Sequence, residues 1–396
     1  MAGAAKRTPT ITVLGSLNID LVSYVSHHPL PGETMTSNRF SVSPGGKGAN
    51  QAVACAKLSR PRSSASNTTG TGTGTDRHAA SQETAHVRMV GAVGDASAGD
   101  GYGDLLVTNL RSQGVDTSGV VRPAGQKTGI AIIVVDEPTG QNRIILSPDA
   151  NHFLQPGHFD DISSSSPSSP SSSSSSIVVS LSKELSTPRP DLLIMQLEIP
   201  VPTVLRALRA ARDGGVPVLL NPAPAVPLPA EAYVGLAHLV VNETEAAILG
   251  GASEADLETE AGLEAVARKF LARGVRNVVV TLGGRGVYYM SSSSSSSGSG
   301  SGSDVGDLGG KGSGEVVVVV KKGLVPAEKA KVVDTTAAGD TFVGVYALEA
   351  VLAAASSSGA TFDVEAAVRK ANRASAKTVE RRGAHDSIPW RDELGW

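Results

Sequence analysis

The segment whose residue types most clearly suggest chemistry is DTTAAGDTF, residues 334–342. A polar turn leads there into a helix of small and apolar residues, so a ligand can come close to the backbone and the free N–H groups of the first turn can hold an anion. The carboxylate of Asp340 lies in that turn, where it could accept a proton from a hydroxyl that attacks a phosphoryl group. The local sequence leaves open a plain alternative, in which Asp340 only complements the helix dipole.

A second glycine-rich segment, PGGKGANQA at 44–52, opens another predicted helix. Its backbone N–H groups, together with the ammonium of Lys47 and the amide of Asn50, suit sugar hydroxyls or the edge of a phosphate. A flexible turn before an amphipathic helix is the competing interpretation.

Asn18 and Asp20 follow the first predicted strand and share one face if that strand continues. An amide beside a carboxylate can hold vicinal hydroxyls, and turn formation is the alternative.

Three further segments follow predicted strands. Glu198 ends a strand at the edge where parallel sheets place ligands, or it is simply a solvated strand end. Asn242 and Glu245 have capping-box spacing, while Glu245 could equally order phosphate and Mg²⁺ through water. TLGGRGV, at 281–287, is a glycine turn that either faces a nucleotide or is only a tight β-turn.

The familiar nucleotide-binding motifs are absent from the sequence. A P-loop needs Gly-Lys followed by Ser or Thr, but Gly46 and Lys47 are followed by Gly48. No G-x-G-x-x-G follows the first predicted strand, which continues as GSLN. Interpretations as a Walker-type or dinucleotide-binding protein therefore lose most of their weight.

Composition excludes several classes of partner. The 396 residues have a formal net charge of −3 and only 4% aromatic residues, which argues against binding nucleic acid. No run of 18 apolar residues predicts a membrane span. The single cysteine, Cys55, excludes an internal disulfide framework and a cysteine-based zinc cluster. A reducing, intracellular setting is the default expectation.

The elements that must position these residues alternate between strand-like and helical patterns. Continuous β-branched runs are typical of a mainly parallel sheet covered on both faces. The strand-like runs are 11–15, 87–94, 191–198, 216–221, 238–242 and 277–283, and the helical patterns are about 47–58, 201–212, 259–273, 337–354 and 363–381. We therefore expect a three-layer α/β/α fold with a mainly parallel central sheet.

Domain organisation follows from what lies between these elements. Segments 19–43 and 129–147 alternate in the manner of antiparallel strands, and we expect them to form a small β lid. The tracts 61–85, 161–188 and 291–314 are mostly Ser, Gly, Thr and Pro, and we interpret them as disordered loop insertions. The remainder suits a single large α/β domain, 9–391.

Taken in order, the motifs resemble a known family. GSLNID, PGET, GGKGANQA, QLE, NPAPA, NETE, TLGGRGV and DTTAAGDTF run from about Gly15 to Trp390. GGKGAN and DTTAAGD resemble the two signatures of the ribokinase-like carbohydrate kinase family, and Asn18 with Asp20, Glu198 and NPAPA are similar to the ribokinases within it. The resemblance implies ATP-dependent phosphorylation of D-ribose at its 5-hydroxyl to give ribose 5-phosphate and ADP, a step of ribose catabolism that feeds the pentose phosphate pathway.

The resemblance also implies roles for individual residues. Asp340 would be the catalytic base, with an anion hole formed by Ala337, Ala338 and Gly339. Ribose would be held by Asn18, Asp20, Gly46, Lys47, Asn50 and Glu198, and by Asp340 itself. ATP would be bound by Asn242, Thr281, Leu282, Gly283, Gly284, Arg285, Gly286, Gly339 and Asn372. Glu245 would position Mg²⁺ through water. An activating K⁺ would be held by Asp334, Thr336, Thr378, Arg381, Gly383 and Ser387, several of them through backbone carbonyls.

The resemblance further implies a homodimer formed through the lid and a cytoplasmic location, with the nucleus as an additional one. Three alternatives remain open at this point. The chain could phosphorylate another small sugar such as fructose, or a nucleoside, although a nucleoside would favour an apolar wall for its base. It could be a catalytically inactive sugar-binding regulator. It could also be an interaction protein organised by the Ser-rich tracts.

Overall fold

The computed structural model describes residues 7–62, 83–159, 189–294, 317–356 and 362–396. Within them, nine strands form the central sheet. Side by side, these are β13 (Val317–Val325), β12 (Val287–Ser294), β11 (Asn277–Thr281), β10 (His238–Asn242), β9 (Val218–Leu220), β8 (Leu192–Met195), β1 (Thr10–Leu14), β4 (His86–Ala92) and β5 (Asp116–Val121). Neighbours from β11 to β5 pair in parallel, whereas β12 pairs antiparallel with both β11 and β13.

Helices cover both faces of this sheet. They are α1 (Lys47–Leu58), α2 (Tyr102–Ser112), α3 (Val201–Asp213), α4 (Glu243–Gly250), α5 (Glu260–Ala272), α6 (Ala338–Ala354) and α7 (Val364–Thr378). Alternate residues of the strands point to opposite faces. Accordingly, Ile11 and Val13 of β1 pack in the core with α1, α2, α6 and α7, while Leu14 packs in the core with α3, α4 and α5. The expected three-layer α/β/α fold with a mainly parallel central sheet is confirmed.

The small sheet contains four strands in the order β3 (Arg39–Gly45), β2 (Asn18–Val25), β6 (Gly129–Asp136) and β7 (Asn142–Ser147). A small sheet outside the main one was expected, but it is not antiparallel throughout. Its two outer pairs are antiparallel, while the central pair of β2 and β6 runs parallel. Two parallel strands need a long connection, because the chain must return to the end where the first strand began. The stretch between β2 and β6, which includes strand β4 of the central sheet, is long enough for this.

Helices α1 and α6 cross very closely, and this contact decides where the candidate site forms. At Gly344 of α6, a Cβ atom would lie 2.5 Å from the Cβ of Ala54 on α1. Cys55 of α1 is buried there and directs its Sγ towards the Gly344 carbonyl. Small residues on both helices allow this approach. The starts of the two helices, which contain the two glycine-rich motifs, therefore lie side by side.

The low-complexity tracts fall mainly at 63–82, 160–188 and 295–316, outside the described residues. One boundary was wrong: residues 291–294 are not loop but the end of β12, paired with β13 across a register shift between Ser291 and Ser292. A run of serines does not by itself predict a strand. These serines remain in β12 because they pair with the valine-rich strand β13. Across the described ranges, no helix has both the length and the apolar character needed to cross a membrane.

Candidate active site

Glu198 lies three residues beyond β8, at the carboxyl edge of the central sheet. Its Oε2 accepts hydrogen bonds from the Ser16 hydroxyl at 2.6 Å and from the backbone N–H of Lys47 at 3.1 Å. A longer contact of 3.4 Å joins it to Nδ2 of Asn18. One carboxylate thus ties the loop after β1 to the start of α1.

Asn18 is oriented by a residue that sequence analysis missed. The buried Asn151 donates from Nδ2 to Oδ1 of Asn18 at 2.7 Å, and its own Oδ1 accepts the N–H of Leu17 at 2.8 Å. Gly129 makes room for this pair, because a Cβ there would lie 2.3 Å from both amides. Asn151 therefore turns the Nδ2 group of Asn18 towards Glu198.

Asp20 is buried on the same face of β2 as Asn18, as the sequence predicts for a continued strand. Gly45 on the neighbouring strand lies against it, since a Cβ there would be 2.2 Å from Asp20 Oδ2. Burial, and then the carboxylates of Glu198 and Asp340, raise the pKa of Asp20 to about 7, against the opposing effect of Lys47. Three carboxyl groups and one ammonium therefore share this cleft.

Lys47 is the first residue of α1, after Gly46 with a φ of 89°. Gly46 is required there because a Cβ would meet the backbone N of Asn18 at 2.7 Å. Burial alone would lower the pKa of Lys47, but the surrounding carboxylates, led by Asp340 and Glu198, raise it above its usual value. Lys47 therefore keeps its positive charge in the cleft.

Asp340 lies in the first turn of α6 and is buried. Its Oδ2 accepts from Asn50 Nδ2 at 2.9 Å, and its Oδ1 accepts from Gln51 Nε2 at 3.0 Å. Each carboxylate oxygen keeps the capacity for another hydrogen bond. The helix begins at Ala338, directly after Ala337, which has a left-handed φ of 59°. Among the described residues, the N–H groups of Gly339 and Asp340 have no hydrogen-bond partner, so they are available to an anion.

Comparison with known proteins agrees with this geometry. The family model described as pfkB family carbohydrate kinase matches residues 8–391. The chain belongs to that family. It is 37% identical over 382 residues to a ribokinase of Schizosaccharomyces pombe. This alignment covers 96% of this chain and 94% of the relative.

Solved structures agree with this assignment. The Thermotoga maritima ribokinase superposes with a TM-score of 0.67 at 32% identity, and covers 98% of each chain. The Arabidopsis thaliana ribokinase, solved with ribose and ATP, superposes with a TM-score of 0.68 at 26% identity and also covers 98% of each chain. The resemblance to the ribokinase-like kinases is confirmed, and the chain is a carbohydrate kinase.

The residues that the family resemblance assigns to ATP lie along the adjoining edge of the sheet. Asn242 and Thr281 are register partners at the carboxyl ends of β10 and β11. Gly286 lies against the end of β13, because a Cβ there would be 2.0 Å from the Val325 carbonyl oxygen. Asn372 of α7 donates from Nδ2 to the Pro326 carbonyl at 2.7 Å. The structure thus brings these separate segments together.

The remaining members of the TLGGRGV turn differ in what they present. Gly283 and Gly284 have open space in front of them. Leu282 is buried in the hydrophobic core, so only its backbone can reach a ligand. The guanidinium of Arg285 is held by the carboxylate of Glu243 and, at 3.1 Å, by the Leu257 carbonyl. The side chains of Leu282 and Arg285 therefore stabilise the turn.

Glu245 forms the capping box that its spacing predicts. Its N–H donates to Asn242 Oδ1 at 2.8 Å, and its Oε2 accepts the Asn242 N–H at 2.9 Å. Burial raises the pKa of Glu245, and the electrostatic effects of Lys47 and Asp340 on it place it in the same cleft. The capping box leaves Oε1 of Glu245 for another partner.

The six residues that the resemblance assigns to K⁺ lie on a loop pair, 334–336 and 378–387, which Asp334 joins. Asp334 Oδ1 accepts from the N–H of Thr336 at 2.9 Å, and its Oδ2 accepts from the N–H of Gly383 at 3.0 Å. The Thr378 hydroxyl is bonded to Thr341, and the Thr378 carbonyl accepts the N–H of Arg381 at 3.1 Å. The sixth residue, Ser387, is buried and donates from its hydroxyl to the Ala384 carbonyl at 2.8 Å.

We expect Asp20→Asn to stabilise the unliganded protein at pH 8 by roughly 1–3 kcal/mol. The raised pKa means that the folded state binds more protons than the unfolded state between about pH 4 and pH 7. The stabilising effect of Asp20 is thus present below pH 4 and lost as the pH rises through 7. Urea unfolding at pH 5 and pH 8 measures this, with the exposed Asp213→Asn as control. A gain that is equal at both pH values would contradict it.

Proposed function

We propose that this chain phosphorylates the 5-hydroxyl of D-ribose with ATP, which gives D-ribose 5-phosphate and ADP. The observation on which this rests is the single cleft in which Asp340 and the bare N–H groups beside it lie next to Asn18, Asp20 and Glu198. A polar set of amide and carboxylate groups suits the hydroxyls of a small sugar. The ribokinases of fission yeast and Arabidopsis, reported above, support the same substrate.

In the proposed reaction, O5 of ribose attacks the γ-phosphorus of ATP. The O5–P bond forms as the bond from the γ-phosphorus to the β–γ bridging oxygen breaks, and the O5 proton passes to the carboxylate of Asp340. The N–H groups of Gly339 and Asp340, at the positive end of the α6 dipole, stabilise the charge on the transferring phosphoryl group. Lys47, held in its charged form, offsets the negative charge that the substrates bring into the cleft.

Magnesium and potassium belong to this proposal. Among the described residues, no group of three or more His, Cys, Asp or Glu side chains could hold a metal ion directly. Magnesium bound mainly by phosphates and water fits this, with the remaining oxygen of Glu245 holding one of its waters. The oxygen-rich loop pair around Asp334 fits K⁺, with Thr336, Thr378, Arg381, Gly383 and Ser387 contributing mainly through their backbone. Bound there, K⁺ would fix the shape of the anion hole without contacting substrate.

The proposed function is tested by ADP release over a panel of ribose, 2-deoxyribose, fructose and adenosine, each with and without K⁺. We expect the highest kcat/KM with ribose and a clear activation by K⁺. A preference for adenosine would indicate a nucleoside kinase, and binding of ribose without ADP release would indicate an inactive regulator. Unchanged activity after deletion of the Ser-rich tracts would set aside a role based on them.

We also propose that the small sheet forms a homodimer. Val42, Ile132 and Ile145 lie in one register row across β3, β6 and β7, and each of these side chains is at least 43% exposed. Exposed apolar rows of this kind commonly mark a protein interface. Sedimentation at micromolar concentration should give a dimer, and a monomer would contradict the proposal.

A further inference from the structure

Behind Asp340 lies a chain of three amides, two of them fully buried, that has no part in the proposed proton transfer. Gln51 has no exposed surface, and its Nε2 donates both to Asp340 Oδ1 at 3.0 Å and to Asn221 Oδ1 at 2.9 Å. Its Oε1 accepts from Nε2 of Gln196 at 2.5 Å. Gln51 is therefore held on three sides, one of which is the catalytic carboxylate.

The orientation of the Gln51 amide is fixed from its far end. Nδ2 of Asn221 donates to the backbone carbonyl of Val240 at 3.0 Å, and a carbonyl can only accept. Oδ1 of Asn221 must then face Gln51, and because that oxygen also only accepts, Gln51 must present its NH₂ group. The second hydrogen of the same NH₂ group points to Asp340. The backbone of β10 thus determines that Asp340 always meets a donor at Oδ1.

Gln196 holds the Oε1 side of the Gln51 amide, but one of its own polar atoms stays unsatisfied. It is fully buried, and its Oε1 has no hydrogen-bond partner among the described residues. Gly15 makes room for it, since a Cβ there would lie 2.0 Å from that oxygen. A buried amide with an unsatisfied oxygen destabilises a fold. Stability alone does not explain why two fully buried amides and the half-buried amide of Asn221 converge behind one carboxylate.

Asn50, on the other oxygen of Asp340, is held differently. Its Nδ2 donates to Oδ2, but its Oδ1 is buried without a partner among the described residues. No group in the part of the chain that the structure describes holds the Oδ1 side of the Asn50 amide, so this amide can turn when a substrate arrives. The two donors therefore differ: Gln51 is locked on Oδ1, and Asn50 can yield at Oδ2.

We propose that Gln51 is a positioning residue for Asp340, and that Asn221 and Gln196 lock its amide so that Oδ1 stays bonded and Oδ2 is presented to the attacking hydroxyl. This inference rests on the proposed function, in which Asp340 is the base. A carboxylate held at one oxygen cannot rotate away from the hydroxyl, and small misplacements of a reacting group lower the rate steeply. Gln51 acts only through Asp340 and does not contact the sugar.

The test compares Gln51→Leu, Asn221→Leu and the double variant. We expect each single variant to lower kcat about 10- to 100-fold while KM for ribose stays within about threefold, because only the orientation of the base is lost. Since Asn221 acts through Gln51, the double variant should be no slower than Gln51→Leu alone. Ribose binding measured by calorimetry verifies that each variant is folded.

Asn277→Leu is the matched control, because it removes a similar hydrogen bond from a side-chain amide to a backbone carbonyl, that of Ala237. Asn277 begins β11, whereas Thr281, which is assigned to the ATP site, ends that strand. It should change stability but not kcat. A kcat within twofold of wild type in Gln51→Leu, or additive losses in the double variant, would overturn the inference. If Gln51→Leu fails to fold, Asn221→Leu alone decides, since a wild-type kcat there has the same meaning. Absence of ribose phosphorylation in the wild type would instead overturn the proposed function and this inference with it.

Discussion

Replacing Asp340 with asparagine should lower kcat by about 10³-fold, within the range measured for loss of a general base, while ribose affinity changes by less than about threefold. The amide that replaces the carboxylate cannot take the O5 proton, whereas the sugar contacts made by Asn18, Asp20 and Glu198 do not depend on it. Steady-state kinetics with ribose, combined with calorimetric binding, separate the two effects.

The fold should tolerate this substitution for a reason that the structure supplies. A new NH₂ group would face the donor of Asn50, but the unpartnered Oδ1 of Asn50 allows its amide to flip and accept instead. We therefore expect an unchanged Tm. A turnover close to that of the wild type would reject Asp340 as the base, and loss of ribose binding would mean that its main role is to hold the sugar.

Gly339→Ala should reduce kcat/KM for ATP by about 100-fold or more without destabilising the protein, if the phosphoryl group lies against the helix start as proposed. A Cβ at Gly339 meets no atom within 4 Å, and its backbone does not need a left-handed conformation. Alanine also favours a helix over glycine by up to about 1 kcal/mol. The new methyl group would thus occupy only the space that a ligand needs.

Gly101→Ala is the control for this prediction. Gly101 precedes α2 and likewise has open space at its Cβ position, but it lies in none of the segments assigned to substrate. Thermal unfolding of both variants and ATP saturation curves at fixed ribose give the comparison. Equal activity of Gly339→Ala and wild type would mean that no phosphoryl group approaches this turn.

The sequence predicts some elements well because their local pattern agrees with their tertiary surroundings. Helix α1 begins and ends where the glycine-rich motif and its small-residue pattern indicate, and α6 begins within one residue of the prediction. All of β12 and β13 was missed: the serine run that ends β12 gives no strand signal, and the two strands pair across a long intervening segment. The parallel pairing of β2 with β6 is likewise decided by chain path and not by alternation of residues.

The site divides in the same way. The sequence indicated Asp340, Asn50 and Glu198 because they lie in short motifs whose residue types suit one chemistry. It indicated no role for Asn151, which follows β7 outside the motifs, or for Gln51, although Gln51 lies inside PGGKGANQA. Their roles depend on hydrogen bonds between residues 133 to 289 positions apart, which no local pattern encodes.

The missing side chain at Gly344 has a consequence for how this enzyme can change. Gly344 lies four residues after Asp340 and Ala54 lies four residues after Asn50, so their contact sets the spacing of the two helices about 6 Å along the axis from the bonded pair. Any bulkier residue at that contact would wedge the two helices apart and lengthen the bond without touching a ligand. A substitution at Gly344 would therefore change kcat from inside the protein, although Gly344 itself contacts no ligand.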